Sequence, residues 1–375
     1  MRRTKTQSYV VDFDRYILFS YLILVVIGLV IMLDISSVLH SLTYFYRQLG
    51  FSIVSVLLVL FTLYFPNLLK FRKLTFLLII LSIILLGIVL YQGVTIKGAT
   101  RRVWGFQPSF LARFALIFLF AHWLDKKQDS IQEVGIVQNI KTFLVPIVIT
   151  FVIYTLIILE RHLSTIVISG LSIIGLLYYA GVRKRYVLTL LLLCLIAGIG
   201  IIWKGASYRS DRISVYRKYS LFIRDDALKL SSDMEHQVRE SLTALSTGRI
   251  MGTGFSRGRA KHFYLPEART DYVYTIIGEE FGYLGAMVVL LLHSFLFFRM
   301  LKVSQRQSTP YLVYLAAGLA MNIYINALVN MGVAMSILPS TGNTLPFISY
   351  GGSAYLIDSL SVGVVLNISA KRKTV

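Results

Sequence analysis

Between Lys261 and Gly285 the chain reads KHFYLPEARTDYVYTIIGEEFGYLG, a polar, charge-dense approach that runs straight into an apolar stretch. Asp271 stands at the lip of that stretch, and Glu279 and Glu280 fall roughly two turns, about 12 Å, deeper along it at helical rise. Acids in such a place are costly and are functional candidates wherever the apolar stretch is a membrane span. An ionised Asp271 would accept a proton; it would equally cap the helix that follows, for which Thr270-Asp271 ahead of an apolar run suffices. Just upstream, Gly248, Gly252, Gly254 and Gly258 alternate with Arg249, Arg257, Arg259 and Lys261. That pattern allows close backbone approach while presenting cations to an anion, and it is also what an ordinary turn shows.

Other polar clusters interrupt apolar sequence. One runs from Lys97 through Arg101, Arg102, Trp104, Gln107 and Pro108 to Ser109, with Arg113 one turn further on. Arg113 would either bind an anion or snorkel its guanidinium to lipid headgroups. Glu160, Arg161 and His162 form a tight polar turn, and a third cluster holds Pro339, Ser340, Asn343, Ser349, Tyr350, Gly351 and Gly352. Irregular backbone at membrane depth needs protein or water to cover it, so these clusters predict a polar cavity; close helix packing would also account for the paired glycines.

The elements that must position these residues are helices in a membrane. With 56% hydrophobic and 15% charged residues, and a mean hydropathy of +0.70, the chain is no soluble domain. Stretches of about 20 apolar residues suit membrane helices, and they fall near 16–33, 46–65, 74–92, 106–124, 143–159, 163–182, 186–203, 272–298, 310–333 and 345–368. The expectation is an all-α polytopic membrane protein, a single unit over 1–375 with about ten spans. Arg2, Arg3, Lys5, Lys70, Arg72, Lys73, Lys126, Lys127, Arg183, Lys184, Arg185, Lys302, Arg306 and Lys371 to Lys373 cluster in the tails and in short loops on one side. By the positive-inside rule that side is cytoplasmic, with tails 1–15 and 369–375 and both termini inside.

The long polar segment 204–270 then lies outside, between spans seven and eight. Its many cations account for much of the net charge of +20. They suit solvated loops near anionic headgroups, or a phosphorylated lipid, far better than nucleic acid, which is a poor partner for an extracytoplasmic loop. Val238, Leu242 and Leu245 recur at helical spacing and predict an amphipathic helix on the membrane, ended by Gly248. Cys194, the single cysteine, lies in an apolar span where packing is its expected role, and one cysteine excludes a disulfide within the chain.

These blocks carry a resemblance. HQVRESLTALSTGRIMGTGFSRGRAKHF (236–263), YLPEARTDYVYTIIGEEFGYLG (264–285), LPSTGNTLPFISYGGSA (338–354) and GATR…QPS (98–109) resemble the signature blocks of the SEDS family, whose members include FtsW, RodA and SpoVE. The resemblance spans nearly the whole chain. It implies a multi-pass protein of the bacterial cytoplasmic membrane that polymerises the lipid-linked disaccharide lipid II into peptidoglycan strands. A class B penicillin-binding protein would be its partner, in cell division or cell-shape maintenance. It also implies that Asp271 is the essential carboxylate, and it carries over Arg101, Arg113 (where the family usually has Lys), Lys261 and Glu280, with Ser349 and Tyr350 among the substrate-binding positions.

Three positions depart from the family's pattern: Phe110 stands where Glu is usual, Arg102 where Trp is expected, and Arg161 where Pro is common. Phe110 removes an acidic partner from any two-carboxylate or metal-bridging scheme. Transfer from a lipid pyrophosphate needs a base for the acceptor hydroxyl and electrostatic help for the leaving group. Direct displacement with inversion needs only one carboxylate, so the glycosidase pair is not required. A divalent cation, Mg or Mn, bridging pyrophosphate oxygens is the expected assistant, with no organic cofactor. The rival functions are a lipid II flippase, which needs access from both leaflets, and a non-catalytic scaffold that activates the penicillin-binding protein.

Overall fold

The computed structural model describes residues 9–374 apart from 39–40, 66–70, 93, 97–98, 129–135, 204–206, 221, 224, 226–227, 229–232 and 266. Side chains at 9–11, 71, 94–96, 99–101, 136–142, 195–203, 207–211, 263–264 and 372–374 are likewise outside the described set. The protein is helical. Among the described residues its α-helices, in chain order, are α1 (Arg15–Val38), α2 (Thr43–Tyr64), α3 (Phe71–Gln92), α4 (Pro108–Lys126), α5 (Ile136–Leu159), α6 (Leu163–Tyr179), α7 (Lys184–Trp203), α8 (Ser207–Tyr219), α9 (Asp233–Gly248), α10 (Val273–Gln305), α11 (Pro310–Ala334) and α12 (Gly352–Ser369).

Each of the ten expected apolar stretches falls on a helix. Among the described residues seven helices are long and apolar enough to cross a membrane, joined by the shorter apolar helices Phe143–Leu159 and Leu163–Tyr179. An apolar run in lipid has no water to satisfy its backbone and closes those bonds internally as helix. The protein is thus a multi-pass membrane protein. Lipid acts as its outer solvent: Leu57, Phe61, Leu77, Ile84, Phe151, Leu188 and Phe298 are all exposed.

α4 is buried on every side, from Phe110 through Ala121, and packs on α3, α5, α6, α11 and α12. A helix apolar all round belongs at the centre. α11 and α12 share that core, with α2 laid along α12 and α10 along α11. Residues 335–351, between α11 and α12, are irregular, so the tenth apolar stretch becomes helical only at Gly352, seven residues later than expected. This segment folds back against α1, where a Cβ on Gly28 would lie 2.6 Å from the Phe347 carbonyl oxygen. Only glycine permits that approach.

Two short antiparallel ribbons complete the described fold. β2 (Val94–Ile96) pairs with β3 (Ala99–Arg102) ahead of α4. β1 (Tyr9–Asp12) pairs with β4 (Lys371–Thr374), so the two ends of the chain share one face. Cys194, expected to pack, is exposed instead.

Candidate functional site

α10 is not one straight rod. It runs seven residues past the expected end of its span and breaks at Gly282, whose φ of 67° and ψ of −165° leave the helical region. A break at membrane depth frees backbone groups that must be paired. The glycine-rich loop of residues 249–254 supplies them: Thr253 and Gly254 N–H donate to the Glu279 and Glu280 carbonyls at 2.9 and 3.0 Å, and Tyr283 and Leu284 N–H donate to the Arg249 and Ile250 carbonyls at 2.8 and 3.2 Å. The contact requires glycine, since a Cβ on Gly252 would stand 2.1 Å from the Glu280 carbonyl oxygen and one on Gly248 1.9 Å from that of Gly278.

The same loop receives both glutamates. Arg259 and Ala260 N–H donate to the Glu279 carboxylate at 2.8 and 3.0 Å, and Ser256 and Gly258 N–H donate to that of Glu280 at 3.1 Å each. The anion that this glycine-rich backbone cradles is therefore carried by the protein itself. Lys261 completes the arrangement, with its Nζ 2.6 Å from both oxygens of Asp34 and 2.5 Å from Glu280 Oε1. All three side chains are buried. The triad bolts α1 to α10 through the loop between them.

Arg113 lies equally deep. It neither snorkels nor faces an open cavity: its side chain is 0% exposed and pairs with Asp358 of α12 at 3.0 Å, its guanidinium resting 5.4 Å from the Phe110 ring centroid. Phe110, at the position where the family usually has Glu, also meets the His162 ring edge-on. His162 Nδ1 lies 2.8 Å from Ser109 Oγ and 3.0 Å from Gln107 Nε2, so the QPS turn and the turn between α5 and α6 form one buried cluster. Arg161 in that turn has φ of +59°, which proline cannot adopt.

From Asp358 a chain of amides leads to Asp271. Asn326 Nδ2 donates to Asp358 at 3.4 Å, Asn343 Nδ2 donates to Asn326 Oδ1, and Asn330 Nδ2 donates to the Asn343 carbonyl and, at 2.9 Å, to the Asp271 carbonyl. The preceding carbonyls are held as well. Ser349 Oγ donates to Thr270 O at 2.6 Å and Tyr350 N–H to Arg269 O at 2.8 Å. Three successive carbonyls, at 269, 270 and 271, are thus pinned by three donors from α11 and the segment before α12. The Asp271 side chain itself is half-buried, at the entry to α10. Arg269 stacks its guanidinium 4.0 Å from the centroid of Tyr44, and Tyr350 meets the same ring edge-on.

The structure therefore brings Asp271, Ser349 and Tyr350 together, and brings Glu280 to Lys261. Arg113 and Lys261 sit in buried ion pairs and present no charge to solvent in this arrangement. The Arg101 side chain lies outside the described residues; its backbone belongs to β3. Sequence reasoning missed Asp34 and Asp358, although an acid inside an apolar helix is itself a signal. It also missed Asn322, Asn326 and Asn330, which recur every four residues on α11 and are all buried. The helix expected to lie on the membrane, α9, instead packs on α10: Ser241 accepts from Thr275 at 2.6 Å and donates to Ala334 O at 2.8 Å, and Leu245 covers Gly278.

Among the described residues no three His, Cys, Asp or Glu side chains gather where they would hold a metal ion. A Mg or Mn ion held chiefly by substrate phosphates needs only one or two protein carboxylates.

Fold and site together define a multi-pass helical membrane protein in which the backbone at Arg269 to Asp271 is pinned at the entry to α10. The family model FTSW_RODA_SPOVE, described as cell cycle protein, matches residues 14–374, and the chain belongs to that family. It is 31% identical to a protein of Geobacter sulfurreducens named probable peptidoglycan glycosyltransferase FtsW, over 96% of each chain. It is also 31% identical to stage V sporulation protein E of Bacillus subtilis, over 93% of this chain and 94% of that one. A solved chain from a peptidoglycan synthase complex superposes with a TM-score of 0.76 over 96% of this chain and 98% of its own, at 23% identity. That likeness is one of fold.

Proposed function

We infer that this protein is a peptidoglycan glycosyltransferase that polymerises lipid II into glycan strands at the outer face of the bacterial cytoplasmic membrane, with Asp271 as its general base, during cell division or cell-shape maintenance. The activity rests on the relatives named for it, which align along nearly the full chain. The role of Asp271 rests on one observation: the carbonyls of Arg269, Thr270 and Asp271 are each held by a donor, and Asp271, positioned by them at the entry to α10, is half-buried rather than enclosed. The cations of the tails and short loops support cytoplasmic termini, an orientation that turns the Asp271 end outward.

In the reaction, the acceptor sugar hydroxyl gives its proton to the Asp271 carboxylate as its oxygen attacks the anomeric carbon of the donor. The bond from that carbon to the pyrophosphate breaks, and the lipid pyrophosphate leaves with inversion. Arg269 and Arg101 are the cations assigned to that leaving group. Arg113 and Lys261 act from a distance, by fixing α4 to α12 and α1 to α10. The partner is a class B penicillin-binding protein, in keeping with the synthase complex that supplied the superposing chain.

Purified protein supplied with lipid II, alone and with its cognate transpeptidase, tests the function. Polymer formation supports the enzyme; movement of labelled lipid II across a vesicle bilayer without polymer would make it a flippase. Stimulation of the transpeptidase with no polymer of its own would make it a scaffold.

A further inference from the structure

At the far end of α10, about 40 Å along the helix from Asp271 at 1.5 Å per residue, a cavity of about 1090 Å³ opens between α1 and α10 on the face that holds both termini. Its rim carries Arg15, Arg299, Arg306 and Lys371 against the two carboxylates Asp12 and Asp14. Its walls descend through Phe19, Ile23 and Phe295, which are exposed where lipid would lie. The mechanism uses none of these residues.

Arg299 is held ready. Asp14 caps α1 by accepting from Tyr16 and Ile17 N–H, and its second oxygen accepts from Arg299 Nη2 at 2.5 Å. The guanidinium lies 4.6 Å from the Tyr16 ring centroid, and its Nε is buried with no hydrogen-bond partner among the described residues. Arg15, Arg306 and Lys371 form no ion pair among the described residues, so their charge is unspent. Asp14 is already committed to the cap and to Arg299.

We propose that this groove binds one anionic glycerophospholipid of the termini-side leaflet. Its phosphate would meet Arg299, Arg306 and Arg15, and an acyl chain would lie along Phe19, Ile23 and Phe295. A headgroup that carries phosphate without a compensating ammonium matches the excess of cations, and arginine offers paired donors to phosphate oxygens. The apolar walls below the rim select a lipid over a free phosphate. Seated there, the lipid bridges α1 and α10, the two helices that the Lys261 triad joins near the opposite face.

The test is native mass spectrometry of the full chain released from nanodiscs of equimolar dioleoylphosphatidylglycerol and dioleoylphosphatidylcholine. The wild type should retain the glycerol lipid about tenfold over the choline lipid. Each basic residue near a membrane surface changes anionic-lipid affinity about fivefold, so Arg15→Gln with Arg306→Gln should return the ratio to that of the bilayer. Neither substitution breaks an ion pair among the described residues, and an unchanged melting temperature checks the fold. Lys302→Gln, which removes a cation near the rim but not lining the cavity, should leave the enrichment intact. Equal retention of both lipids by the wild type would overturn the proposal. So would enrichment that survives the double substitution, an equal loss in Lys302→Gln, or displacement of the lipid by millimolar inorganic phosphate.

Discussion

Asp271 and Glu280 lie nine residues apart at the head of the same helix, and the protein treats them in opposite ways. Glu280 has its carboxylate filled: two backbone N–H groups and the Lys261 ammonium reach it, and no part of its side chain is exposed. Around Asp271, donors hold three consecutive carbonyls, those of Arg269, Thr270 and Asp271, and the residue is half-buried. An acid whose oxygens are saturated by fixed partners holds structure together. One that stays half-buried on a clamped main chain keeps a side that can act on something else.

That contrast can be broken by substitution. The largest effect belongs to Asp271→Asn, which should cut polymerisation by about 10²–10⁴, the usual worth of a general base, with no change in melting temperature. Lys261→Met should do the reverse. Leaving Asp34 and Glu280 buried without their cation should cost about 3–5 kcal/mol of stability, measured by thermal unfolding in detergent, and whatever fraction stays folded should keep its turnover.

Gly252→Ala sharpens the same division from the backbone side. Its φ of +84° and the 2.1 Å approach to the Glu280 carbonyl leave a Cβ no room, and a loss of about 1–3 kcal/mol is expected for such strain. Asn330→Ala removes the donor to the Asp271 carbonyl. It should lower kcat roughly tenfold while KM for lipid II stays constant, in line with about 1–2 kcal/mol for an interaction that positions a catalytic group.

The smallest effect lies between α8 and α9. There the Lys218 ammonium, 2.6 Å from Glu235, holds that carboxyl below its ordinary range, against desolvation. A depressed carboxylate stabilises the fold above its unfolded value of about 4.3 and loses that contribution as pH falls through the depressed value. Docking of α8 on α9 should therefore loosen only below about pH 4, and Glu235→Gln should flatten the dependence when melting is followed across pH.

Much of this architecture is legible in the chain. Apolar runs give helices because lipid allows little else, and the block from Lys261 to Gly285 announces an acid at a membrane edge. The pairings are a different matter. Arg113 meets Asp358 across 245 positions and Lys261 meets Asp34 across 227, and no local pattern marks such partners. The acids in MLDISS and YLIDSL nonetheless each demanded a cation within the bundle, since a lone buried charge is untenable. The glycine-rich loop misled for a related reason. Its spacing does encode close backbone approach to an anion, but the sequence does not say that the anion is a side chain of the same protein.

The account turns on Asp271 acting as a base rather than as a cap or a strut. The direct measurement is glycan polymer formed from lipid II per folded molecule of Asp271→Asn, with lipid II binding recorded on the same preparation. Binding close to wild type with polymer reduced at least a hundredfold is the predicted result. Polymerisation at the wild-type rate by a folded Asp271→Asn protein would contradict it.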